Sequence, residues 1–172
     1  FDNSSHGIYC YRYNNYGEFY PDIVNNRVYG NGGDGLRFDS RVMSATYHMA
    51  PSASLNAVYQ NGGRGIYCKT NQAASLLYND IHDNSGDGLY LQSGEGSRVH
   101  YNNIYDNSGT YALVNGHSAG ANVRYNYWGE TATAQMAAGS NPKNIAALYD
   151  VYDDTALGTV YYEPWLDAAE TL

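Results

Sequence analysis

The chain has 172 residues, a net charge of −8 and 20 tyrosines against only nine Lys and Arg. The acidic balance argues against nucleic acid and anionic membranes as partners. No apolar stretch is long enough to insert across a bilayer, and the length sets one domain with a narrow core.

From its first residue the chain reads as repeats. Phe1-Asp2-Asn3 matches the second half of a unit seen later as Tyr105-Asp106-Asn107, so the chain is expected to begin in mid-repeat. Either coils precede it in a longer protein, or its open end stacks on another molecule. The motif Asn-[Gly/Ser]-[Gly/Ser]-x-Gly-[Ile/Leu] then starts at Asn3, Asn31, Asn61 and Asn84, with a degraded copy from Asn107 to Ala112. Its first Asn recurs at spacings of 28, 30, 23 and 23 residues. A second element, Asn-x-[Val/Ile]-x-x-Asn, covers 26–31, 56–61, 79–84 and 102–107. Periods of this size mean a solenoid.

The apolar runs within a unit, such as Leu89-Tyr90-Leu91 and Asn103-Ile104-Tyr105, alternate with period two and have strand length. Asn, Gly, Ser and Asp between them are expected to supply positive φ at sharp turns. A unit of about 23 residues without room for a helix is the coil of a parallel β-helix. Equivalent positions then stack about 4.8 Å apart. Ile8, Leu36, Ile66 and Leu89 form one inward column; Cys10, Phe38, Cys68, Leu91 and Val114 a second; Val28, Val58, Ile81 and Ile104 a third. Asn26, Asn56, Asn79, Asn102 and Asn126 form a ladder at a turn. Cys10 and Cys68 lie two coils apart, too far for a disulfide, and are read as buried apolar residues.

These repeats resemble the right-handed parallel β-helix family found in carbohydrate-binding and sugar-hydrolysing proteins. The tail, Asn126-Tyr127-Trp128-Gly129 and then Tyr161-Tyr162-Glu163-Pro164-Trp165-Leu166, resembles a cap of prokaryotic secreted and cell-surface members. The expected architecture is all-β: about five coils over 1–129 and an irregular cap over 130–172. The cap is expected to hold a short helix at 132–138, ended by Gly139, and a final strand at 160–166. The resemblance implies an extracellular or cell-surface setting. It leaves function open, because this fold hosts lyases, hydrolases, adhesins and inert scaffolds.

Two coils are longer than the rest, by 5 and 7 residues. The extra length falls at 11–22 and 39–54, so the two loops are expected side by side. They offer Tyr11, Tyr13, Tyr16, Phe19 and Tyr20 on one and Tyr47 and His48 on the other, as a binding or interface surface. Asp83-Asn84-Ser85-Gly86-Asp87-Gly88 has the opening of a calcium loop, with Asp83 and Asp87 as ligand candidates and Glu95 nearby. The repeat's own turn explains the same residues. Asp83 and Asp106 share a column, with His82 adjacent, as catalytic candidates for glycoside chemistry. Solvated turn residues are the plainer reading. Tyr9, Tyr67 and Tyr90 form one outward stripe; Tyr29, Tyr59 and Tyr105, with His82 between, form another.

Two functions follow. The first is a non-enzymatic structural protein that self-associates or contacts neighbouring copies, as in a sheath, surface layer or adhesin stalk. The second is a domain that binds or processes polysaccharide, as a lyase or glycoside hydrolase. The lack of a convergent acid/base cluster favours the first; a groove with His48 or His82 beside two carboxylates favours the second. No cofactor is implied apart from calcium.

Overall fold

The computed structural model describes residues 1–13, 17–41, 48–92 and 96–172. The first coil carries β1 (Ile8–Arg12), β2 (Asp22–Val24) and β3 (Arg27–Tyr29). The second carries β4 (Leu36–Ser40), β5 (Ser52–Ser54) and β6 (Ala57–Tyr59), and the third β7 (Ile66–Lys69), β8 (Ser75–Leu77) and β9 (Asp80–His82). The fourth carries β10 (Leu89–Gln92), β11 (Arg98–His100) and β12 (Asn103–Tyr105). The fifth has β13 (Leu113–Asn115), β14 (Ala121–Asn122) and a single bridge from Tyr127 to Asn103. Helix α1 (Glu130–Ala137) follows, then β15 (Leu148–Tyr149) and β16 (Val160–Tyr161).

All pairings are parallel and build three sheets: β1-β4-β7-β10-β13-β15, β2-β5-β8-β11-β14-β16 and β3-β6-β9-β12. They are called sheets 1, 2 and 3 below. The segment after Gly129 thus adds a sixth rung to sheets 1 and 2, with α1 inserted before it. The helix occupies 130–137 rather than 132–138, and Gly139 closes it by donating its N–H to Met136 O.

Sheet 1 stacks Ile8, Leu36, Ile66, Leu89 and Leu113 inward, and beside them Cys10, Phe38, Cys68 and Leu91. The two cysteines are free and separated by Phe38. Sheet 3 stacks Val28, Val58, Ile81 and Ile104. One position departs from expectation. Leu91 pairs with Asn115, while Val114 pairs with Tyr90 and faces outward. The fifth copy has one extra residue, so that Ala112 takes the place of Gly88's counterpart, and a one-residue slip reverses every face. Sheet 2 is a third wall that the repeat pattern did not reveal, with Ile23, Ala53, Leu76 and Val99 inward.

Two asparagine ladders run the length of the solenoid. In the expected one, Nδ2 donates to the next coil's Oδ1 from Asn26 to Asn56, Asn79, Asn102 and Asn126 at 2.9–3.1 Å. The second links Asn3, Asn31, Asn61, Asn84 and Asn107 at 2.8–2.9 Å.

Each ladder Asn follows a left-handed residue. Asn25, Leu55, Tyr78, Tyr101 and Tyr125 form one such column, and Asp2, Gly30, Gln60, Asp83 and Asp106 the other, with φ between 50° and 68°. Asn, Gly, Ser and Asp are the expected residues here, yet Leu55, Tyr78, Tyr101, Tyr125 and Gln60 occupy half of these corners. The reason is the clamp that follows: Asn56 Nδ2 donates to Ser54 O, Asn79 to Leu77 O and Asn84 to His82 O. That bond brackets the intervening residue and fixes the strained turn. Leu55 is half exposed and packs little. Leu55→Asn is therefore expected to stabilise the protein by about 0.5–1 kcal/mol, read from urea unfolding, because Asn accepts the left-handed region at lower steric cost.

Candidate functional site

The outer face of sheet 3 carries an aromatic column. Phe1, Tyr29, Tyr59, His82 and Tyr105 stack at centroid separations of 5.2–5.3 Å, with planes within 17° of parallel. Coil register places these side chains at one outward position, so each ring covers its neighbour's face. His82 sits inside the stack with Nδ1 2.8 Å from Asp83 Oδ2 and Nε2 3.7 Å from Asp80 Oδ2. His82, one of the catalytic candidates, thus contacts Asp83 and Asp80, but its ring faces are occupied by Tyr59 and Tyr105. Asp106 stands one coil further on, at the corner after Tyr105.

The column ends at Tyr127, whose ring is tilted 55° from Tyr105 at 5.8 Å. Here the surface opens into a groove of about 780 Å³ between the fifth coil and α1. Tyr105, Tyr111, Tyr127, Trp128, Asp106 and Glu130 line it. Its described lining includes no Lys, Arg or His. Burial, then Glu130 and Asp106, push the Tyr127 phenol pKa up. Burial, then Asp80, Asp83 and Asp106, do the same to Tyr105. Both phenols are held as neutral hydroxyls. Trp128 is 3% exposed, and its Nε1 has no hydrogen-bond partner among the described residues.

Sequence reasoning named Tyr105 and Asp106 but missed Tyr111, Glu130 and the groove itself. The signal lies in Asn126-Tyr127-Trp128-Gly129, whose rings line the groove as well as marking the start of the cap.

A family model described as "Right handed beta helix region" matches residues 1–141. The chain belongs to the right-handed β-helix family. No curated protein and no solved structure matches it significantly.

The long loops of this β-helix meet as expected. Phe19 bridges Met49, Phe19 N–H donates to His48 O at 2.9 Å, and Arg41 N–H donates to Arg12 O at 3.1 Å. Tyr9, Tyr11 and Tyr13 form a tilted chain of rings at 5.5 and 6.3 Å, and the Arg41 guanidinium lies 5.6 Å from the Tyr13 centroid. Tyr13 and Tyr20 are the most open of these tyrosines, at 67% and 61% exposure. The Tyr20 hydroxyl donates to Glu18. Tyr16, Tyr47 and Glu95 lie outside the described residues.

The first outward stripe is interrupted. Arg37 stands between Tyr9 and Tyr67, 4.0 Å from the Tyr67 centroid, and Tyr67 stacks on Tyr90. Burial of Arg37 works against its charge, but hydrogen bonds to Asp39 and Asp34 outweigh it and push its pKa up.

Of the calcium candidates, Asp87 Oδ1 accepts the Tyr111 N–H at 3.0 Å and its Oδ2 lies 3.8 Å from Arg64 Nε. Asp34 does the same work two coils earlier, accepting the Arg64 N–H at 2.9 Å. Asp83 is turned to His82. Among the described residues no group of three or more His, Cys, Asp or Glu side chains is placed to hold a metal ion.

Charge is uneven along the axis. Residues 1–70 carry six Lys/Arg and five Asp/Glu, whereas residues 71–172 carry three and twelve. The exposed tyrosine cluster belongs to the near-neutral part and the groove to the acidic part.

Proposed function

We propose that this β-helix is a non-enzymatic, extracellular structural protein that associates side by side with copies of itself or with neighbouring surface proteins. The observation that carries the reading is the exposed cluster of Tyr9, Tyr11, Tyr13, Phe19 and Tyr20 in the near-neutral coils. Exposed aromatics of this density are the material of protein interfaces. Like-charge repulsion keeps the acidic coils of two copies apart, so contact is directed to the first coils. Salt should therefore strengthen association by screening that repulsion, the opposite of an ion-pair interface.

Sedimentation velocity at low and near-molar salt tests this. Oligomers should increase with salt, and Tyr11→Ser with Tyr13→Ser should weaken them by about tenfold or more, as for aromatic anchors elsewhere. Monomers at every salt concentration, or oligomers indifferent to both substitutions, would overturn the reading.

The groove favours a second reading, polysaccharide binding. Concave walls of tyrosine and tryptophan with a few polar groups suit sugar rings. Tyr105, Tyr111 and Tyr127 supply rings, and Asp106 and Glu130 accept hydrogen bonds.

A further inference from the structure

Resting on that second reading, we propose that the groove between the fifth coil and α1 selects an amino sugar: a chain of pyranose rings bearing free ammonium groups. Three features of the site each ask for a different part of such a ligand.

The first is charge. Asp106 and Glu130 line the groove together with Tyr127, so both carboxylates face the same cavity. No cation among the described residues lines it to neutralise them. A neutral glycan leaves that potential unanswered. An ammonium group placed between carboxylates and tyrosine faces gains both charge-assisted hydrogen bonds and cation–π attraction.

The second is the unpaired donor. Trp128 is buried, lines the groove, and its Nε1–H has no acceptor among the described residues. Nε1 itself is covered, so a ligand oxygen reaches it only through a small shift of the groove wall, and that bond would relieve the cost of an unmade bond at a buried donor. A bare alkylammonium has no such oxygen, whereas a sugar offers hydroxyl and ring oxygens.

The third is shape. The parallel column of rings on sheet 3 hides its faces until Tyr127 tilts away by 55°. At this end the stack opens beside a groove whose size falls within the range of drug-sized ligand sites. Charge, oxygen acceptors and flat C–H faces occur together in one ligand class, a glucosamine-type oligomer.

Calorimetry and tryptophan fluorescence with three probes decide the matter: a fully deacetylated glucosamine tetramer, its N-acetylated counterpart, and choline. The deacetylated tetramer should bind at least about tenfold more tightly than the acetylated one, the worth of one charge-assisted hydrogen bond. Its binding should perturb Trp128 emission, weaken as salt rises, and fall by about the same factor in Glu130→Gln. Glu130 is exposed, so this variant is expected to keep its fold. Equal binding of the acetylated tetramer would overturn the amino-sugar inference and leave a neutral-glycan groove. Choline binding as tightly as the tetramer would also overturn it, since neither rings nor acceptors would then matter. No binding of any probe would also overturn the inference.

Discussion

Asn84→Ala should destabilise the β-helix by about 3–5 kcal/mol, because several buried polar groups lose their partners at once. Asn84 is 0% exposed. Its Oδ1 accepts the backbone N–H of Asn61 at 3.1 Å and the side-chain amide of Asn61 at 2.9 Å. Its Nδ2 donates to Val58 O, His82 O and Asn107 Oδ1 at 2.9–3.0 Å. Alanine removes all five bonds and leaves the Asn61 N–H unpaired in the interior. It also releases the clamp on Asp83, which is held at φ 54°. Asn26, at the other ladder's less buried end, has fewer of these bonds, and Asn26→Ala should cost about 1–2 kcal/mol. Urea unfolding of both variants checks the comparison. A loss below about 1 kcal/mol for Asn84→Ala would mean that the ladder is decoration rather than structure.

Gly65→Ala should cost about 3 kcal/mol for a reason unrelated to backbone conformation. Gly65 does not have a left-handed φ. A methyl group there would strike Ile81 Cγ2 and stand 2.7 Å from Gly88 O and 3.0 Å from Asn84 Nδ2. The first contact is core, the second is backbone and the third is ladder, so no soft neighbour can yield. Gly35 and Gly88 face the same trio in their own coils. The recurring Gly of the repeat is therefore a spacing residue that lets one coil sit on the next. Gly116 gives the control: its nearest neighbours are the Tyr90 hydroxyl at 2.8 Å and the Gln92 side chain. The Tyr90 hydroxyl is the far end of a side chain that can shift, and Gln92 Cβ at 3.4 Å is an ordinary contact, so Gly116→Ala should cost less than about 1 kcal/mol. Equal losses for the two alanines would show that coil spacing does not decide the position.

The repeat was legible because a solenoid converts sequence period into spatial contact. Ile66 touches Leu89 because they occupy the same place in consecutive units, and no other information is needed. The same logic found the Asn26-to-Asn126 ladder, the Cys10–Phe38–Cys68 column and the meeting of the two long loops. It failed where the period failed. One extra residue in the fifth copy turned Val114 outward. Sheet 2 escaped notice because its three-residue strands bury one side chain each, as in Ser52-Ala53-Ser54, and show no alternation long enough to read. The second ladder was hidden in plain view, since its asparagines were assigned to turn chemistry alone.

The sequence by itself determined the coil, its inward columns, the stacked tyrosines and the acidic balance, all of which depend on nearest neighbours at a fixed interval. Only the tertiary structure decided where the left-handed corners fall, what the glycines are for, and where the aromatic stack opens. The groove brings Tyr105 and Asp106 of the fourth unit beside Glu130 of α1, and that helix docks once, outside any repeat. A pattern that recurs predicts contacts that recur; a contact made once depends on the non-periodic packing of α1 against the fifth coil.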